Sequence, residues 1–251
     1  SAYNVAVGRG AGEAVTTGTQ NTYIGGLAGD AATASVENVA VGYQALSADT
    51  LGSKSVAVGR MALLSQNLTT ATDVYNVAVG HNAGQQITTG TQSTLVGGLA
   101  GDALTGGNRN VALGYQALTA DTLGDRNIAI GNNSLASQNF TTSTDAYNVA
   151  LGFNAGTSVT TGTQNTLVGG LAGDALTDAN FNTVLGYQAL SADTLGSNSV
   201  AVGAFALRDQ NLTTAADTFN VAVGYNAGGD VTTAIQTVLI GALAGDALQA
   251  G

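Results

Sequence analysis

The sequence predicts an all-β chain, a parallel β-solenoid of about fourteen coils, and three observations carry that prediction. First, a motif of three apolar residues and a glycine recurs from end to end, with its glycines at 8, 25, 42, 59, 80, 97, 114, 131, 152, 169, 186, 203, 224 and 241. Second, the spacings run 17, 17, 17, 21 and repeat, so that four coils make a 72-residue super-repeat. Strict self-similarity of this kind belongs to stacked structural repeats. Third, the chain has 36 glycines, no proline and only 9% charged residues, which suits short strands joined by many tight turns. The 251 residues read as one solenoid domain, 1–251, made of units 8–79, 80–151 and 152–223 and a truncated 224–251.

With each motif glycine counted as position zero, the columns of the coil follow in order. Position +3 is alanine in thirteen coils, from Ala11 and Ala28 to Ala244, with Ser134 the exception. Only a small side chain fits there. Position +13 is asparagine in most coils (Asn21, Asn38, Asn110, Asn182), and stacked asparagines can exchange amide hydrogen bonds between coils. Position +16, or +20 in the 21-residue coils, is always Val, Ile or Leu, as in Ile24, Val41, Val58, Val79 and Ile130. Alternation in a strand such as Val39-Ala40-Val41 sends its two valines to one face and its alanine to the other. The valines are assigned to the coil interior. The outward face is then Tyr23, Leu95, Leu167 and Leu239 with Ala57, Ala112, Ala129 and Ala201, also apolar, which predicts cover by other chains in a parallel homo-oligomer, a trimer. Fourteen coils at the strand spacing of about 4.8 Å make a rod roughly 65 Å long.

Composition narrows the function classes. A net charge of −10 with six basic residues (Arg9, Lys54, Arg60, Arg109, Arg126, Arg208) leaves no patch for a phosphate backbone, so nucleic acid is excluded as a partner. No apolar run approaches the roughly 18 residues of a spanning helix. Without cysteine there are no disulfides or thiolate metal sites. The acidity, scarce lysine and missing cysteine favour an extracellular or cell-surface setting, and the start at Ser1 fits removal of a signal peptide or trimming.

The segments Asn38-Val39-Ala40-Val41-Gly42-Tyr43-Gln44-Ala45, Ser55-Val56-Ala57-Val58-Gly59 and Asn127-Ile128-Ala129-Ile130-Gly131 resemble the head repeat of trimeric autotransporter adhesins, which also occurs in phage tail fibres. The resemblance covers nearly the whole chain. It implies a left-handed parallel β-roll, assembled as a trimer on a surface or virion fibre, that works by adhesion or as a spacer. The chain departs from the family in its longer coils, and in showing no neck, coiled-coil stalk or membrane anchor.

Candidate sites are few. Asp30, Asp102, Asp174 and Asp246 recur in Gly-Asp-Ala, and Asp49, Asp121 and Asp193 in Ala-Asp-Thr-Leu-Gly. Paired carboxylates on consecutive coils suit Ca²⁺, and Gly25-Gly26-Leu27-Ala28-Gly29-Asp30 is similar to a calcium-binding nonapeptide, although turn aspartates more commonly cap backbone amides. No other cofactor or metal is expected. Position +8 is a threonine file (Thr16, Thr33, Thr50, Thr88, Thr105, Thr122, Thr160, Thr177, Thr194, Thr232) broken by Asn67, Asn139 and Asn211; it raises ice binding, but one file is no flat plane. The 21-residue coils add a loop at Asn67 and Thr69, Asn139 and Thr141, and Asn211 and Thr213, the expected recognition surface for a glycan or other surface ligand, each loop carrying an Asn-x-Thr glycosylation acceptor. Tyr43, Tyr115, Tyr187, Tyr75, Tyr147 and Phe219 form aromatic rows suited to shielding corners and chain interfaces or to binding sugars. The single histidine, His81, is replaced by Phe153 and Tyr225 at equivalent positions, so it anchors no catalytic or metal site, and the chain reads as non-enzymatic.

The ends bear on assembly. Ser1-Ala2-Tyr3-Asn4 reads like Asp145-Ala146-Tyr147-Asn148, which leads into a new unit, and the last coil, with Leu248, stops at Gly251. Joining one chain's end to the next one's start gives a glycine spacing of 251 − 241 + 8 = 18, near the internal 17, which predicts head-to-tail stacking into a filament; an excised piece of a longer fibre reads the same way. Three functions remain open: a structural subunit of an extracellular fibre or filament, an adhesin or receptor-binding head, and an ice-binding solenoid.

Overall fold

The computed structural model describes residues 2–248, and among them it is all-β, with no helix. The chain is a parallel β-solenoid of about fourteen coils with the 17-residue spacing read from the glycines. It divides into two compact units, Ser1–Asp125 with Thr141–Thr144, and Arg126–Phe140 with Asp145–Gly251.

In the first unit the three-residue strands Val5–Val7, Thr22–Ile24, Val39–Val41, Val56–Val58, Val77–Val79, Thr94–Val96 and Val111–Leu113 pair in chain order, all parallel. In the second, Ile128–Ile130, Val149–Leu151, Thr166–Val168, Thr183–Leu185, Val200–Val202, Val221–Val223 and Val238–Ile240 do the same. Register is column on column: Val39 faces Val56, Ala40 faces Ala57 and Val41 faces Val58. The hydrogen-bond ladder runs on past the strands and round the corners, as in Gly12 N–H to Ala28 C=O (3.0 Å) and Thr16 N–H to Thr33 C=O (2.9 Å). Each long coil adds a second short parallel pair, Gly52–Ser53 with Thr72–Asp73 and Gly196–Ser197 with Ala216–Asp217.

So tight a coil needs left-handed corners, and they recur at +2, +4 and +12, as in Gln44 (φ 55°), Leu46 (φ 52°) and Lys54 (φ 63°). Each costs about 1–2 kcal/mol in a residue with a Cβ, a strain the continuous ladder offsets. The motif glycine is a different case. At Gly8, with φ 129°, a Cβ would lie 2.6 Å from the carbonyl oxygen of Gly25 in the next coil, so the column admits nothing larger.

The strand orientation is the reverse of the sequence expectation. Ala40, Ala57, Tyr23, Leu95 and Leu167 are buried inside the coil, while Val39, Val41, Val56 and Val58 lie on the outside, partly exposed. The physical reason is width. A coil this narrow has room for one side chain per strand, the middle residue of three, which shares the interior with Ala28, Ala45, Ala62 and their equivalents at +3, fully buried except Ala11 and Ala244 in the end coils. Ser134, the one exception in that column, is also buried and donates its hydroxyl to the Ala150 carbonyl at 3.0 Å.

Size is balanced between columns +15 and +4. Where +15 is large, +4 is glycine in the same coil and the next: a Cβ on Gly12 would sit 2.9 Å from the Tyr23 ring, one on Gly29 would collide with it, and Gly84 and Gly101 flank Leu95 at 2.8 and 2.9 Å. Where +15 is Ala57 or Ala201, +4 is Leu46 and Leu63, or Leu190 and Leu207, all buried. This exchange of volume every two coils makes the repeat four coils long, and the 21-residue coil brings it to 72 residues.

Candidate functional site: an outward apolar strip

The outward residues of the strands, +14 and +16 (+18 and +20 in the 21-residue coils), stack into two adjacent columns in each unit. In the first unit they are Val5 and Val7, Thr22 and Ile24, Val39 and Val41, Val56 and Val58, and on to Val111 and Leu113; no charged residue enters either column. Val5, Val7, Ile24 and Val96 are exposed large hydrophobics, as are Ile128, Leu151, Leu185, Val223, Val238 and Ile240 in the second unit. The left-handed corners at +12 (+16 in the 21-residue coils) and the residues at +1 border the strip. There stand Tyr3, Tyr43, Tyr75 and Tyr115 in the first unit, and Tyr147, Phe153, Phe181, Tyr187, Phe219 and Tyr225 in the second, all exposed. Phe205 meets Tyr187 and Tyr225 edge-to-face, at centroid distances of 5.6 and 5.8 Å.

The border also holds five of the six basic side chains, Arg9 and Arg60 at +1 and Lys54, Arg109 and Arg126 at +12. Lys54 donates to Asp73 at 2.6 Å and lies 5.3 Å from the Tyr75 ring; the carboxylate holds the ammonium above its ordinary range, and the ammonium holds the carboxyl below its own. Arg126 pairs with Asp145 over Tyr147 in the same way. Arg60 meets His81 Nε2 at 3.2 Å, so the histidine belongs to the border.

The aspartates serve the coil. Asp49 is buried; one carboxylate oxygen accepts from Gly52 N–H (2.9 Å) and Leu68 N–H (3.2 Å), the other from the Gln66 amide (2.5 Å). Gln66 also donates to Ser55 and accepts from Asn76. Asp193, Gln210, Ser199 and Asn220 repeat the arrangement, and Asp121 caps Gly124 N–H at 3.0 Å. Asp30 and Asp102 accept from the hydroxyls of Ser47 and Thr119, both at 2.5 Å. Asp174 has a buried Oδ1 with no partner, and burial raises its pKa above the ordinary carboxylate value. Among the described residues no three His, Cys, Asp or Glu side chains group as metal ligands, and no pocket opens.

The buried Asp-Gln-Asn network was missed in the sequence, yet it leaves a signal there: column +7 reads Asp then Gln in the third and fourth coils of every unit, against Val, Ile, Leu or Ala in the first two. Asparagines at +13 hold the coils together. Asn38 accepts from Ser55 N–H at 2.8 Å and donates to the Gly52 carbonyl at 2.8 Å, so these amides bond backbone more than one another. The threonine file is likewise turned along the stack, with Thr16, Thr33, Thr88, Thr105 and Thr177 donating to the carbonyl one coil on.

In the long coils Leu68, Phe140 and Leu212 fold back under the loop and are buried, whereas Asn67, Thr69, Asn139, Thr141, Asn211 and Thr213 are exposed. Of the proposed end contacts, Tyr3 is exposed and Asn4 bonds Gly18 and Asn21; Leu248 closes a turn on Gly245, and Ser1 and Gly251 lie outside the described residues. No helix is long and apolar enough to cross a membrane among the described residues. No family model, curated protein or solved structure matches the chain.

Proposed function

We propose that the chain is a non-enzymatic structural subunit of an extracellular fibre, associating with copies of itself, three around an axis, through the outward strip. The observation that carries this reading is the strip: columns of Val, Ile, Leu and Thr that no charged residue enters, bordered by aromatic rings. Two uncharged columns running along a unit, with exposed rings beside them, make a continuous apolar patch of the kind that marks an interface, and a stable interface buries ~800 Å² per partner. A partner must also match a surface that repeats every ~4.8 Å along the stack. Another copy of this chain has that repeat, and an ordinary globular surface does not. The resemblance to trimeric adhesin heads and phage tail fibres points the same way, and the calcium reading gains nothing from carboxylates already committed to amide donors.

Mass photometry with negative-stain electron microscopy tests the proposal. Wild-type chain should run as a trimer, and Val39→Lys with Val56→Lys and Val77→Lys should give folded monomers, because those side chains face outward. A wild-type monomer at micromolar concentration overturns the strip as an interface, while lengthening into filaments adds the head-to-tail contact. The adhesin reading is favoured by one observation, the exposed loops at Asn67, Asn139 and Asn211, which repeat every 72 residues like the teeth of a binding surface. It predicts retained trimers whose binding to a glycan array is lost on loop replacement.

A further inference from the structure

We infer that Asn67, Asn139 and Asn211 are acceptors of N-linked glycan, an inference that rests on the extracellular part of the proposed function. The chain contains four Asn-x-Ser/Thr sequences, the three loop copies and Asn132-Asn133-Ser134, and the fold treats them differently. Asn67 and Asn211 are exposed; each Oδ1 accepts from a threonine hydroxyl of the preceding coil, Thr50 at 3.2 Å and Thr194 at 3.3 Å, which leaves each Nδ2 turned out with no hydrogen-bond partner. Thr69, Thr141 and Thr213, two residues on, are exposed, and none of their hydroxyls is engaged. Between Asn and Thr, the side chains of Leu68, Phe140 and Leu212 are buried, which pins the loop and points its two polar residues outward. Asn132 is exposed as well, but its Ser134 is buried and its hydroxyl is spent on Ala150, so the second half of that acceptor is withheld.

The reaction is a group transfer. The asparagine Nδ2 bonds to C1 of a polyprenyl diphosphate-linked oligosaccharide, the C1–O bond to the diphosphate breaks, the polyprenyl diphosphate leaves, and one amide proton passes to a base of the transferase. Asn139 and Asn211, four coils apart in one unit, would carry glycans about 19 Å apart. These loops are separate from the outward strip in sequence position, at +8 to +10 against +18 to +20 of the same coils, so modification and self-association are compatible.

The test is secretion of the full chain, behind an added leader, from a host with an N-glycosylation pathway, followed by peptide:N-glycosidase treatment and glycopeptide mass spectrometry. The expected result is three enzyme-sensitive additions, at 67, 139 and 211, with Asn132 unmodified. The triple variant Asn67→Gln, Asn139→Gln, Asn211→Gln, and independently Thr69→Ala, Thr141→Ala, Thr213→Ala, should remove all of them. Secreted chain without glycan, or Asn132 occupied as fully as the loops, overturns the inference. Because the leader imposes secretion and the strip is read by mass photometry on the same material, failure here is separable from failure of the fibre reading.

Discussion

Within each 72-residue unit two pairs of coils solve the same packing problem in opposite ways. The first pair fills its interior with hydrocarbon: Tyr23 or Leu95 spans two coils over glycines, with Ile87 and Leu104 beside Leu95. The second pair moves the bulk across the coil to Leu46 and Leu63, leaves Ala57 opposite, and buries the Asp49-Gln66-Asn76 hydrogen-bond network in the remaining corner. Both kinds share one backbone, one asparagine file and one glycine column. The coil's cross-section is therefore fixed by its ladder and corners, while the filling is interchangeable as long as volume is conserved and every buried polar atom finds a partner.

The largest expected effect comes from breaking the polar pair. Asp49→Ala removes the acceptor of two backbone N–H groups and a glutamine amide, all buried, and should cost about 4 kcal/mol. Urea unfolding followed by circular dichroism would measure it, and proteolysis within residues 66–72 should rise first, because Leu68 loses its tether. A change below about 1 kcal/mol would show the network to be dispensable.

Next comes the apolar pair, which offers a test of interchangeability. Gly29→Leu places a side chain where the Tyr23 ring lies and should cost about 3 kcal/mol. Adding Tyr23→Ala gives that corner the filling used at Leu63 and Ala57, whose leucine already accepts φ 50°. The double variant should recover at least half of the loss in a double-mutant cycle. Simple additivity would sink the volume-exchange argument.

A smaller effect is expected where the two kinds of coil are joined. Asn38 belongs to the file that runs through both, and Asn38→Ala frees the Ser55 N–H and the Gly52 carbonyl for about 2 kcal/mol in the same urea assay.

Much of this was legible in the sequence because it is periodic. The glycine spacing gave the parallel stack and its register, since a column that must be glycine can only lie against its own copies, as Gly8 lies against Gly25. The facing of the strands was not legible. Val39-Ala40-Val41 is apolar at all three positions, so alternation supplies two faces without saying which is inside, and only the width of the coil decides. The error mattered to the site: it placed the proposed interface on Ala57 and its equivalents, whereas the exposed columns are Val56 and Val58 and theirs. The aspartates, read foremost as amide caps with Ca²⁺ as the lesser alternative, were ambiguous for another reason. Residue type and spacing alone are the same for a cation ligand and an amide cap, and the backbone N–H groups that distinguish them have no sequence signature.

The smallest effect compares copies of one position. Asp30 and Asp102 are met by the hydroxyls of Ser47 and Thr119, but Asp174 Oδ1 is buried without a partner although Ser191 stands at the equivalent place. Desolvation raises the folded-state pKa of Asp174, so folding binds its proton more tightly than the unfolded chain does. The sign follows: its contribution is favourable below the unfolded pKa and is lost as pH rises through the higher folded value. Asp174→Asn, neutral throughout, should therefore unfold at a higher denaturant concentration than wild type at pH 7, and the gain should shrink towards pH 3. Asp30→Asn should show no such gain, because there the carboxyl oxygen accepts a 2.5 Å hydrogen bond from Ser47. Equal responses of the two variants would mean that the carboxylate at this column is solvated alike in every copy, and that the third unit is no less well filled than the first.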